Sequence, residues 1–405
     1  MRLPRNTFRA LGTRNFRYFF IGQAVSASGT WMQKIGQAWL VLELTGSGTL
    51  LGVTAALQQL PTLVVGPWSG LLADRTDKRR LLIVTQSLSG ALALVLGCLL
   101  LTDLVEMWMV LVLATLLGTT EALDRPARQA FVSTMVGQEH LTNAVLLNSI
   151  VMNSARVVGP SIAGVLIATA GLATTFLVNA ASFTAVVLAL VLMRVDELLP
   201  STPIARQPGQ LREGFRYVRA NPELVAPLSL MTVAGLFAYE WTVTLPLLAR
   251  DAFDGDASTF GIMYTAMGLG AVVGGLAVAG TMQANVKALL RTAWIFSVLM
   301  LALSFTPSLT TALLVLLVLG GASITLKSLA NALLQLRARP EMRARVLALL
   351  SVATGGTTPI GAPLVGWTAE TFGVRTAVAI GAVATALATI VTGRYVRRHS
   401  TRTSQ

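Results

Sequence analysis

The sequence predicts an all-α integral membrane protein with twelve transmembrane helices, arranged as two pseudo-symmetric six-helix bundles. Three observations carry this reading. Apolar residues make up 54% of the 405, and charged residues only 12%, about half the share that a water-facing domain uses. The charges are clustered, and the stretches between them reach the ~20 residues needed to cross a ~30 Å hydrocarbon core. One connector, from Arg194 to Asn221, is far longer than the others and divides the chain in the middle.

Spans are expected at 16–43, 48–73, 80–102, 106–124, 141–169, 172–194, 222–249, 258–281, 287–306, 309–334, 344–369 and 374–394. Inside a bilayer the backbone must satisfy its own hydrogen bonds, so each span is a helix. The apolar stretch from Phe19 to Ile21 that follows Arg2, Arg5, Arg9, Arg14 and Arg17 is too short for a signal-peptide core, and is read as part of the first span. The halves are 1–194 and 222–405, the latter ending in a basic tail, with a linker at 195–221. The linker contains Pro200, Pro203 and Pro208, then a basic amphipathic piece from Leu211 to Arg219 that is expected to lie along the inner membrane surface.

Orientation follows from Lys and Arg. Alternate connectors and the two tails hold 26 of the 31, while the opposite connectors hold only Arg250 and Arg375, beside Glu43, Asp103, Glu106, Asp251, Asp254, Asp256 and Glu370. Basic residues stay on the cytoplasmic side, so both termini are expected there, in a bacterial plasma membrane. This asymmetry accounts for the net charge of +13, and no nucleic-acid partner is expected. Cys98 is the one cysteine, so no disulfide forms within the chain. His140 and His399 are the only histidines, and no metal site is expected from them. Gly268-Leu-Gly270, followed by Gly274-Gly275, has no strand before it and lies inside span 8. It reads as tight helix packing, not a nucleotide loop. No cofactor is expected.

Between spans 2 and 3 stands Gly70-Leu71-Leu72-Ala73-Asp74-Arg75-Thr76-Asp77-Lys78-Arg79-Arg80. A carboxylate beside four cations at a helix end makes charge-assisted bonds and can cap a neighbouring helix. This stretch resembles the loop signature of the major facilitator superfamily, with Asp77 where the pattern has a second glycine. The resemblance implies a gating role for Gly70, Asp74, Arg75, Lys78 and Arg79, and a cluster of Asp74, Lys78 and Asp124. In span 5, Gly159-Pro160-Ser-Ile-Ala-Gly164 resembles the second half of a longer element that marks the superfamily's exporters. Gly-Pro within a span also suits a kink and close packing. Trp31-Met-Gln33, Ala38 to Leu42, Asp124 to Ala130, Asn153 to Gly164, Leu211 to Arg219 and Arg343 to Val346 are similar to a branch of enterobactin exporters and macrolide efflux proteins. That resemblance implies an antiporter, driven by the proton gradient, that moves a drug, macrolide or siderophore-like molecule; a monomer is expected.

Charges inside a membrane are costly and mark functional candidates. They are Lys34, Glu121, Asp124, Arg156, Glu240 and Lys327. In the superfamily's fold spans 1, 4, 7 and 10 line the cavity, and all but Arg156 fall on these. At ~1.5 Å per residue, Lys34 and Glu240 lie ~27 Å into their spans, in the outer half, while Glu121 and Lys327 lie in the inner half. Two gating pairs are expected from these depths, Lys34 with Glu240 and Glu121 with Lys327; snorkelling to an interface is the alternative. Glu240 is the leading proton carrier, since an enclosed carboxylate holds a proton more readily, with Glu121 and Asp124 next. Trp31, Gln33, Gln37, Tyr239 and Trp241 are candidates to line the substrate site, although the aromatics also fit an interfacial belt.

An enzyme acting on lipid-linked substrates is a competing reading, but only the central linker is long enough to build a site, and no enzymatic activity is expected. A transporter-like sensor or scaffold is another, because the counterpart loop from Thr281 to Arg291 lacks the Asp-Arg pair.

Overall fold

The computed structural model describes residues 8–199, 210–278 and 283–400. Among them there is no strand. In chain order come α1 (Arg14–Thr45), α2 (Gly48–Arg75), α3 (Lys78–Leu101), α4 (Met107–Met135), α5 (Gln138–Ala170) and α6 (Leu172–Val191). A short helix follows, α7 (Gln210–Arg219), and then α8 (Pro222–Phe237), α9 (Trp241–Leu247), α10 (Ala257–Val278) and α11 (Val286–Ser304). The last four are α12 (Leu309–Arg337), α13 (Arg343–Thr354), α14 (Thr358–Phe372) and α15 (Val374–Ser400).

Eleven helical stretches among the described residues are long and apolar enough to cross a membrane. The remaining expected span is α1. Its 32 residues suffice in length, but Gln23, Gln33, Lys34 and Gln37 make it less apolar than the others.

Three expectations change. Span 4 does not end at 124: α4 runs to Met135 with Pro126 inside it. Arg125 and Arg128 are therefore helical, not loop residues. A helix can continue past its apolar stretch when its polar side chains find partners, and Arg128 finds Asp124 one turn back and Gln23 of α1. Spans 7 and 11 are not single helices either. The first is interrupted at 238–240 and the second at 355–357. Gly355-Gly356 and Pro359 account for the second interruption. At the first, the N–H groups of Ala238 and Tyr239 both donate to the Ala234 carbonyl, which closes α8.

The chain divides into two compact units, one of 1–44 with 57–205 and one of 45–56 with 206–405. In the first unit glycines set the helix spacing. Gly22, Gly29 and Gly36 recur every seven residues on α1 and meet Val186, Asn179 and Thr175 of α6. A Cβ at Gly159 of α5 would press on the Ser28 carbonyl, 2.6 Å away, and the Met32 nitrogen, 3.0 Å away, both on α1. Gly118 of α4 lies against the backbone of Gln58 on α2. Phe16, Phe19, Leu82, Phe131, Leu147, Val186 and Leu190 fill the core at the end that carries the basic connectors.

The second unit repeats this plan. Gly320 lies as far past Leu309 as Gly118 lies past Met107, and it meets the Met267 carbonyl of α10. Gly270 and Gly274 meet Leu317 and Gly321 of α12, so the glycine-rich run of span 8 is a packing surface, as its lack of a preceding strand implied. Around the interrupted spans, Gly235, Gly361 and Gly381 lie against the carbonyls of Ala353, Leu236 and Phe237. The start of α2 belongs here too: Glu370 accepts from the Ser47 hydroxyl at 2.8 Å and the Thr49 N–H at 2.9 Å, a carboxylate at a helix N-terminus. The amphipathic α7 docks on this unit. Glu213 pairs with Arg345 at 2.8 Å, and the Arg339 N–H donates to the Tyr217 hydroxyl at 3.1 Å.

Candidate functional site

A cavity of about 360 Å³ opens among α1, α3, α4, α5 and α6 of the first unit. Its lining is half polar because each helix turns a polar stripe inward. Glu121, Asp124, Arg125 and Arg128 fall about one turn apart on α4, and Asn148, Met152 and Arg156 fall one turn apart on α5.

Lys34 of α1 and Glu121 of α4 approach to 3.8 Å. The Glu121 Oε1 atom is buried and takes no hydrogen bond, so this is a loose pair. Asp124 is 5% exposed and tightly held. Its Oδ1 accepts from the Thr85 hydroxyl at 2.9 Å and the Gln86 amide at 2.7 Å, and its Oδ2 lies 3.4 Å from Arg128. Trp31 lies beside two cations, with Lys34 5.1 Å and Arg156 5.0 Å from its ring centre.

The second unit holds a different cluster. Glu240 stands at the interruption between α8 and α9, only 4% exposed. It takes a hydrogen bond from Thr358, at the start of α14, and lies in the field of Lys327. The Lys327 ammonium sits 3.9 Å from the Tyr239 ring centre. The Tyr239 hydroxyl donates to the Ser323 carbonyl at 3.1 Å, and its ring stacks on Phe296, 5.3 Å between centroids. Trp241 packs edge-on to the same Phe296 and is 6% exposed. Both interrupted spans thus bring a helix end to one carboxylate, an arrangement that leaves irregular backbone enclosed by protein.

The expected pairing of these charges is corrected. The partner of Lys34 is Glu121, not Glu240, and the charge facing Glu240 is Lys327. The depth of Glu121 follows from the true length of α4, which does not stop at 124. With α4 running to Met135, Glu121 falls near its middle, level with Lys34.

Other expected site residues sit as follows. Gln33 is buried and takes a hydrogen bond from Asn179 of α6, and Gln37 is 5% exposed; neither is in the lining of the first-unit cavity. Trp31 and Arg156 line it. Gly159 gives the close approach of α5 to α1, and Pro160 and Gly164 are buried inside an unbroken α5. Sequence reasoning overlooked Thr85 and Gln86, which hold Asp124, as well as the cavity-lining Arg125, Arg128 and Asn148. The polar residues Thr85, Gln86 and Ser89 in an otherwise apolar span were the available signal.

At the connector between α2 and α3 only the helical backbone of Gly70 and Asp74 is described, so the expected cluster of Asp74, Lys78 and Asp124 lies outside the described side chains. Arg75 ends α2. Asp77 caps α3, accepting from the Arg80 N–H at 3.1 Å, which is what this residue does in place of glycine. Arg79 donates to the carbonyls of Leu190 at 2.6 Å and Val191 at 3.0 Å, closing the C-terminus of α6. In the second unit Arg375 does the same for α11 through Ser304 and Thr306. Arg79→Ala is expected to cost about 1–2 kcal/mol by freeing two terminal carbonyls. Thermal unfolding of the purified variant in detergent checks this; an unchanged midpoint speaks against the cap.

Comparison with known proteins fits this architecture. A family model described as a transmembrane secretion effector matches residues 5–403. The staphyloferrin A transporter of Staphylococcus aureus is 27% identical over 93% of this chain and 94% of its own. Macrolide efflux protein A of Streptococcus pyogenes is 24% identical over 89% and 90%. The multidrug efflux pump Tap of Mycolicibacterium fortuitum is 25% identical over 86% and 88%. Among solved structures, a bacterial homologue of the human lysosomal transporter Spinster aligns with a TM-score of 0.71 at 14% identity, over 95% of this chain and 96% of that one. A bacterial homologue of the iron transporter ferroportin aligns with a TM-score of 0.70 at 16% identity, over 94% and 98%. The match over nearly the whole sequence, on a helical fold shared with transporters, places the chain in the transmembrane secretion effector family of the major facilitator superfamily.

Proposed function

We propose that the protein is a secondary active exporter, moving small organic molecules out of the cell by alternating access in exchange for protons. Two of the relatives are named for efflux, which supports the direction. Proton exchange rests on one observation. Glu240 is enclosed at the interruption of span 7, with a hydroxyl from α14 and the ammonium of Lys327 as its polar surroundings. A carboxylate closed in this way exchanges a proton only when the helix ends around it move. Proton uptake and release are thereby tied to a conformational step, and the gradient supplies the energy that a bound cofactor would supply elsewhere.

The exporter works in a bacterial plasma membrane, as a monomer, with both termini in the cytoplasm; the placement of Lys and Arg supports that orientation. Cells with and without the gene test export against a panel of drugs, macrolides and siderophores. The expected result is lower accumulation of at least one compound in cells carrying the gene, reversed to the control level by a protonophore. Equal accumulation across the panel would point to a sensor or scaffold.

A further inference from the structure

The charge around the first-unit cavity is unbalanced. Four cations line it, Lys34, Arg125, Arg128 and Arg156, against two carboxylates, Glu121 and Asp124. Arg128 and Asp124 satisfy each other, and Lys34 is loosely paired with Glu121. Arg125 and Arg156 have no carboxylate partner among the described residues, and both are exposed to the cavity. Uncompensated guanidinium groups inside a membrane domain are costly, and their planar forks match a carboxylate in a two-point geometry. Lys34 and Arg156 both lie against the Trp31 ring. Gln129 and Asn148 add neutral donors to the same lining.

We propose that this cavity binds an organic anion carrying at least two carboxylates, with Arg156 and Arg125 as its main anchors and Lys34 as a third. The inference rests on the export reading and narrows its substrate to polycarboxylates, setting aside cationic drugs. The occupant brings the negative charge that the lining lacks. Arg128 stays with Asp124 and is a positioning residue that keeps this carboxylate from competing.

Binding to the purified full chain in nanodiscs tests the proposal, with citrate, its neutral triethyl ester and erythromycin as probes in isothermal titration. Citrate is expected to bind and the ester and erythromycin to bind at least about tenfold more weakly. Arg156→Gln is expected to weaken citrate about 10- to 100-fold, the usual loss for a charge-assisted contact, while Arg156→Lys, which keeps the charge and loses the two-point fork, is expected to fall between the parent and Arg156→Gln. Arg156 is exposed, and Arg156→Lys keeps a cation beside Trp31, so a shared loss in both variants would report that contact and not the carboxylate anchor. Equal binding of citrate and its ester, tighter binding of erythromycin, or an unchanged citrate affinity in Arg156→Gln would overturn it. So would displacement of citrate by sulfate at equal ionic strength, the mark of an unselective basic patch. Titration needs no gradient and no transport. Citrate binding without any gradient-driven movement of organic solutes therefore counts against export alone, and gradient-driven export of a cation without citrate binding counts against this inference alone.

Discussion

Glu240→Gln is expected to reduce gradient-driven export to the level of empty vesicles while leaving the protein folded. The amide has nearly the same shape as the carboxyl group and can still accept the hydrogen bond from Thr358. What it cannot do is take up or release a proton. The change therefore separates two roles that a larger substitution would confuse. Exchange of labelled for unlabelled substrate without a gradient is expected to persist, because the helix interruptions at 238–240 and 355–357 remain. Reconstituted protein in liposomes with an imposed pH difference measures both. If Glu240→Gln keeps gradient-driven export, Glu240 carries no proton, and Glu121 becomes the next candidate.

The largest stability effect is expected at Asp124. Three donors on three side chains converge on this carboxylate: the Thr85 hydroxyl, the Gln86 amide and the Arg128 guanidinium. Asp124→Ala removes the shared acceptor of Thr85 and Gln86 and leaves Arg128 with Gln23 but without its counter-charge, at a cost of about 3 kcal/mol. Asp124→Asn keeps an acceptor for Thr85 and Gln86 and loses only the charge on Arg128. It is expected to cost about 1 kcal/mol, since single interhelical hydrogen bonds in membranes contribute less than 1 kcal/mol on average. Thermal unfolding of the two variants beside the parent orders these losses. A milder effect for alanine than for asparagine would mean that the network does not hold α3 to α4.

Much of this arrangement was legible in the sequence, for reasons that differ from residue to residue. Spans appeared because hydrocarbon imposes a length and an apolar composition that loops do not share. The spans on which Lys34, Glu121, Glu240 and Lys327 stand were legible for the same reason, since a charge within an apolar run is conspicuous. Their partners were not. Pairing depends on how far each helix extends, and α4 continues to Met135 through Arg125 and Arg128, which look like the start of a loop. The interruption beside Glu240 left no mark either. The stretch Phe237-Ala-Tyr-Glu240 holds neither glycine nor proline, and the break is made by two N–H groups sharing the Ala234 carbonyl. The partner of Gln33 was equally hidden. Polar residues on a cavity-lining span looked like ligand contacts, yet Gln33 satisfies Asn179 across the contact between α1 and α6.

The correspondence of Gly118 with Gly320 shows the two units sharing one close helix contact. They differ in chemistry. The first unit carries an open polar cavity with surplus positive charge, and the second carries an enclosed carboxylate, Glu240, with Thr358 and Lys327 as its polar neighbours. The proposal places substrate recognition in the first unit and proton handling in the second.

Everted membrane vesicles with an acidified lumen and a fluorescent pH indicator test that division most directly. Adding a transported substrate to the parent protein is expected to release protons from the lumen. Arg156→Gln should shift the substrate concentration needed without changing the maximal proton release, whereas Glu240→Gln should abolish the release at every concentration. Substrate uptake by the parent with no proton movement, or proton release that survives in Glu240→Gln, would contradict the account.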